Sequence, residues 1–196
     1  MIYTFGDSHA VVGWGEIPGV VPGWLGPLTL YAFGNDAYDV LAFKQIDLKD
    51  GDAVIYCLGK IDCRCQISKF DEDDSYRQMI QGLVKSYART VNRMIEQHYA
   101  ALGVTTCICM VTPPSHETQE DLEYPYMGSD ETRKKYHECM NHEIKEMCKL
   151  EGFTCFDVYK DYSDKEGFLS LEYSKDVHIV DPRFIIEKIA ELGLQG

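Results

Sequence analysis

The chain has 196 residues, 45% of them hydrophobic, and a formal net charge of −13. That length buries a sizeable core within one domain, residues 1–196, and the charge excludes nucleic acid and anionic membrane as partners, because phosphate binding needs clustered Lys and Arg. The start has neither a basic n-region nor an apolar h-region, and no stretch reaches the ~20 apolar residues of a membrane span, so a cytoplasmic protein is expected.

The first strand signal, Ile2 to Phe5, stops at Gly6-Asp7-Ser8-His9. A strand that ends this way presents a hydroxyl at the carboxyl edge of a sheet, where open α/β folds place their ligands. Ser8 is therefore a nucleophile candidate, and the alternative is that Asp7 and Ser8 only turn the chain or cap a helix. Val11 to Pro27 is rich in Gly and Pro and holds Trp14 and Trp24, which reads as a long loop near the site. The tryptophans are either platforms for a sugar ring or plugs onto the core, and the second is favoured because Trp is usually well buried.

Leu28 to Phe33 is expected as the second strand, ending at Gly34-Asn35-Asp36, with a short helix over Ala37 to Phe43. The apolar run Ala53 to Leu58 reads as a central parallel strand covered on both faces. It delivers Gly59-Lys60-Ile61-Asp62-Cys63-Arg64 to the same edge as Ser8. The helix Tyr76 to Leu102 carries an apolar stripe at spacings of four, and Thr105 to Val111 is the fourth strand.

Ser115 to Gly128 is polar and acidic and reads as a flap. Ser129 or Asp130 caps a helix running to Leu150, Phe153 to Val158 is the fifth strand, and Pro182 opens a closing helix to Leu192. The eight cysteines are expected as buried free thiols, and no metal or cofactor is called for. Alternation along a strand accounts for Cys107 and Cys109, and structural zinc sites space their ligands differently.

Near the other end stand Asp176 and His178. A serine nucleophile needs a base, and the base needs a third group to hold its tautomer, so the pair supplies what Ser8 lacks. Asp181 and Asp157 are rival orienting groups. These blocks together resemble the GDSL/SGNH hydrolase superfamily: Gly6 to His9 matches its Gly-Asp-Ser block, Gly59 to Arg64 falls where it carries Gly-x-Asn-Asp, and Asp176 and His178 approximate its late Asp and His.

The resemblance implies a three-layer flavodoxin-like α/β fold, with a five-stranded parallel sheet of order 2-1-3-4-5 and helices on both faces. It implies Ser8 as nucleophile, His178 as base and Asp176 as orienting acid, with Gly34 as the glycine that offers an oxyanion N–H after the second strand. Two positions depart from the pattern. The acid usually stands three residues before the histidine, where this chain has Lys175, and Ile61 replaces the asparagine that completes the oxyanion hole. Arg64 either replaces that donor or pairs with Asp62 to hold the loop.

The implied activity is that of a serine esterase removing a small acyl group, such as acetyl, from a carbohydrate or other small alcohol. Its substrate partner would be a small-molecule or glycan ester. An O-acyltransferase acting on a glycan and a catalytically impaired glycan-binding domain are the alternatives.

Overall fold

The computed structural model describes residues 1–35, 46–116 and 124–194. Five parallel strands form one sheet: β1 (Ile2–Gly6), β2 (Val20–Trp24), β3 (Ala53–Cys57), β4 (Thr105–Cys109) and β5 (Thr154–Phe156). Their order is β2-β1-β3-β4-β5, and the reversal of direction at β1 puts a crevice beside the end of that strand, where such sheets bind ligands.

Strict alternation along the central strands builds two cores. Val54, Tyr56 and Leu58 face one side with Phe5 and Ile108, while Ala53, Ile55 and Cys57 face the other with Ile2, Cys107 and Cys109. A strand buried on both faces reads as a continuous apolar run for this reason. The first core is covered by α1 (Leu30–Gly34), α3 (Tyr76–His98) and α4 (Asp130–Glu151). The second is covered by α5 (Arg183–Glu191) and by Trp14, whose ring lies 5.2 Å from Phe156. A π-turn over Asp62–Gln66 leads into the short α2 (Ile67–Phe70). The eight cysteines are free thiols, six of them buried, and burial pushes Cys107 up to about 12.

The second strand is not where periodicity put it. Leu28 to Phe33 alternates like a strand, yet Thr29 Oγ1 accepts the Ala32 N–H at 3.0 Å and Asp62 accepts the Leu30 N–H at 2.7 Å. Those two side-chain caps satisfy the first turn of a helix, and α1 buries Leu30 and Phe33 on one face. The strand is Val20–Trp24 instead. It tolerates Pro22 because it is the sheet's edge, where a missing N–H costs no ladder bond on the solvent side. The expected helix over Ala37 to Phe43 lies outside the described residues.

Other boundaries shift by a few residues. The helix from Tyr76 stops at His98, the fifth strand is Thr154–Phe156, and Ser129 rather than Asp130 caps α4, its side chain accepting the Thr132 N–H. Among the described residues no helix is long and apolar enough to cross a membrane.

Candidate active site

At the carboxyl end of β1 the chain passes so close to β3 that a Cβ on Gly6 would sit 1.9 Å from the Cys57 carbonyl oxygen. Only glycine fits there, and it sets Asp7 and Ser8 directly on the sheet edge. Asp7 then caps a short 3-10 turn, Ser8–Ala10, its Oδ1 accepting the His9 N–H at 2.8 Å.

The other side of the site is a two-stranded hairpin, β6 (Ser174–Lys175) and β7 (His178–Ile179), whose turn is Asp176-Val177. It places His178 Nε2 2.8 Å from Ser8 Oγ, within hydrogen-bond distance. Burial pushes the His178 imidazole down to about 4, helped by the charge of His9 and opposed by that of Asp7. The ring is therefore neutral at physiological pH, the form that can take a proton.

Asp176 is not the group that holds this ring. An extended segment would have pointed residues 176 and 178 to one side, but the chain reverses between them. Asp176 is a turn residue with φ of +55°, exposed to solvent, and the structure records no bond from it to His178. Asp181 is engaged by Arg183, through the backbone N at 3.0 Å and Nε at 2.9 Å, and Asp157 accepts the Tyr159 N–H. Neither rival replaces Asp176.

The His178 ring also stacks on that of His9, with centroids 4.7 Å apart and planes at 29°. His9 Nδ1 lies 2.9 Å from Asp7 Oδ1, and its Nε2 lies 3.0 Å from the Val177 carbonyl. Asp7 is 1% exposed and its Oδ2 has no hydrogen-bond partner. A partly open pocket of about 30 Å³ is lined by Asp7, His9, Cys57, Lys60 and Thr112. That is room for a water.

The glycine assignment also moves. Gly34 ends α1 against α3, where a Cβ would meet the Ser86 side chain at 2.7 Å, so it packs helices and does not stand at the site. With the strand at Val20–Trp24, the glycine that follows it is Gly26. Leu25 donates its N–H to the Gly6 carbonyl at 2.8 Å, which holds this loop beside Ser8. Gly26 has φ of +85° and open space where a Cβ would be.

The side chains of the loop after β3 make structural contacts. Asp62, 1% exposed, holds the amino end of α1 through Leu30 and Tyr31, and burial raises its carboxyl to about 6 despite those bonds. Arg64 sets its guanidinium 5.5 Å from the Tyr126 ring, and its carbonyl accepts the Met127 N–H. Tyr126 is also 4.9 Å from the guanidinium of buried Arg133. Of the expected flap, residues 117–123 lie outside the described residues. Lys60, 3% exposed, donates to the carbonyls of Thr112 and Pro113 and ties the β3 loop to the β4 loop. Burial lowers its amine to about 7. Trp24 stands beside Gly6 in the sheet register and is 65% exposed.

No family model and no curated protein matches the chain, but solved structures do. A GDSL-like lipase from Bacteroides thetaiotaomicron superposes with a TM-score of 0.60 at 15% identity, over 98% of this chain and 86% of that one. A carbohydrate acetylesterase from Sinorhizobium meliloti gives 0.56 at 14%, over 97% and 98%. A member of the lipolytic G-D-S-L family from Veillonella parvula gives 0.52 at 15%, over 97% and 96%. The chain has the three-layer α/β fold of the GDSL/SGNH hydrolases.

Proposed function

We propose that this protein is a serine esterase acting on small acyl esters through Ser8 and His178. The observation that carries this reading is the 2.8 Å contact between Ser8 Oγ and His178 Nε2 at the sheet edge. Ser8 Oγ attacks the ester carbonyl carbon while His178 Nε2 takes its proton. The tetrahedral oxyanion then expels the alcohol, to which His178 returns that proton, and water repeats the sequence on the acyl-serine to release a carboxylic acid. The N–H groups of Ser8 and Gly26 are the oxyanion donors of this scheme. Arg64 lies three residues after the position of the missing asparagine, and its contacts favour a role on the Tyr126 side.

Exposed Trp24 beside Gly6 supports a sugar as the alcohol, since an aromatic face at the rim of a site stacks on a pyranose ring. The carbohydrate acetylesterase among the similar structures points the same way. A second reading, a glycan-binding domain with little turnover, is favoured by the lack of a carboxylate on His178. Losing that group costs up to ~10⁴ in kcat in enzymes of this design.

The test is a serine-directed phosphonate with mapping of the adduct, alongside hydrolysis of a chromogenic acetate by wild type and Ser8→Ala. The esterase reading expects the adduct on Ser8 and loss of turnover in the variant. Turnover that survives Ser8→Ala sinks it, and an acetylated glycan appearing with an added acceptor would make the protein a transferase.

A further inference from the structure

We infer that His9, anchored by Asp7, is the positioning residue for the base His178, a task that a triad acid otherwise performs. The inference rests on the esterase reading for its catalytic meaning, and on geometry for everything else.

His9 fixes His178 in two ways at once. Its ring lies against the His178 ring, which limits rotation about the side-chain torsions. Its Nε2 contacts the carbonyl of Val177, the residue immediately before His178, which fixes the backbone from which the base projects. Asp7 Oδ1 and the Val177 carbonyl are both acceptors, so the ring makes both bonds only by donating from both nitrogens. Asp7 in turn is held by its burial and by the His9 N–H. The nucleophile is thus flanked in sequence by the two residues that position its base.

The charged groups that act on His178 are Asp7 and His9 from the β1 loop and Lys60 and Arg64 from the β3 loop, and Lys175 stands opposite it in the β6–β7 hairpin; Asp7 raises its pKa and His9, Lys60 and Arg64 lower it. This arrangement differs from a triad in a measurable way. A carboxylate bonded directly to the base raises its pKa, whereas His9 lowers it while holding the ring still.

The experiment pairs kinetics with an imidazole titration by NMR on the full chain. His9→Ala is expected to lower kcat for a chromogenic acetate on the order of 10²-fold with KM changed little, because a misplaced base affects the reacting geometry more than binding. His9→Phe keeps an aromatic ring on His178 and deletes both polar contacts. It is expected to recover part of the rate and to raise the His178 midpoint by about one unit or more, since a nearby positive charge has gone. Asp7→Asn should move the midpoint the opposite way.

A His178 midpoint indifferent to His9→Phe and Asp7→Asn overturns the inference, as does a His9→Ala variant with kcat within about twofold of wild type. Should the variants fail to fold, nitrogen spectra of the wild-type imidazoles decide it: protons on both His9 nitrogens support the anchor, and a bare Nε2 overturns it. An inert wild type with an intact His9 effect on the His178 titration removes the esterase reading and leaves the positioning intact.

Discussion

Lys175 stands directly opposite His178 in the antiparallel register of the β6–β7 hairpin. Residues paired this way project to the same face with Cβ atoms about 5 Å apart. A carboxylate three residues before the histidine therefore lies alongside the imidazole because a two-residue turn folds it back, and in this chain a cation occupies that position. Lys175→Asp is expected to raise kcat about tenfold and to raise the His178 midpoint from about 4 by about 1–3 units, as a close carboxylate does. An unchanged midpoint would mean that the hairpin does not present residue 175 to the ring.

Asp176→Asn should leave kcat/KM within about twofold, since Asp176 is exposed and asparagine adopts the same left-handed backbone. Asp176→Val should lower stability by about 1–2 kcal/mol through backbone strain alone. A tenfold rate loss in the asparagine variant would return Asp176 to the site.

The pH profile of hydrolysis follows from His178. Burial and the charge of His9 put its pKa at about 4, and only the neutral ring accepts a proton. Turnover should rise through about pH 4 and stay level to about pH 8, measured with an ester whose spontaneous hydrolysis is subtracted. A midpoint near 6.5 would show a base more solvated than this one.

Gly26 and Gly34 should respond oppositely to alanine. Gly34→Ala sets a Cβ 2.7 Å from the Ser86 side chain and should lower the melting temperature while the rate per folded molecule stays near wild type. Gly26→Ala meets no atom but strains a φ of +85°, and relief of that strain moves the N–H assigned to the oxyanion; kcat should fall more than stability. Equal melting temperatures for the two variants would contradict this division.

Asp62→Ala should destabilise the fold by about 1–2 kcal/mol, the cost of losing a helix cap, and Asp62→Asn by less. Burial raises the Asp62 pKa to about 6 in the folded state from its ordinary value of 3.8. Its contribution to stability is therefore fully present below about pH 4 and is lost as pH rises through about 6. Denaturant unfolding across that window should show a decline that Asp62→Asn flattens.

The sheet was legible where period-two patterning had nothing to compete with it. Ala53 to Leu58 alternates between two cores, and Cys107 and Cys109 share a face because a strand puts them there. The second strand was illegible for the opposite reason: Pro22 and Gly23 disguise an edge strand, while the alternation of Leu28 to Phe33 belongs to a helix whose amino end is capped by Asp62, over thirty residues away. At the site, the fold brings Ser8 and His178 together, two residues marked by their blocks. No bond joins Asp176 to His178, and the tight turn that holds Asp176 leaves no trace of Gly or Asn in the sequence. His9 was in view as the last letter of a motif, but stacking across 169 positions has no local signal.

The hydrogen bond between His178 and Ser8 spans 170 positions of sequence. On a ribosome Ser8 emerges just after β1, and His178 emerges only after six strands and four helices of the described residues have been made. Until then Ser8 lacks the base that the proposed mechanism assigns to it. On the proposed mechanism, a chain stalled before residue 178 lacks its base however much of its sheet has formed.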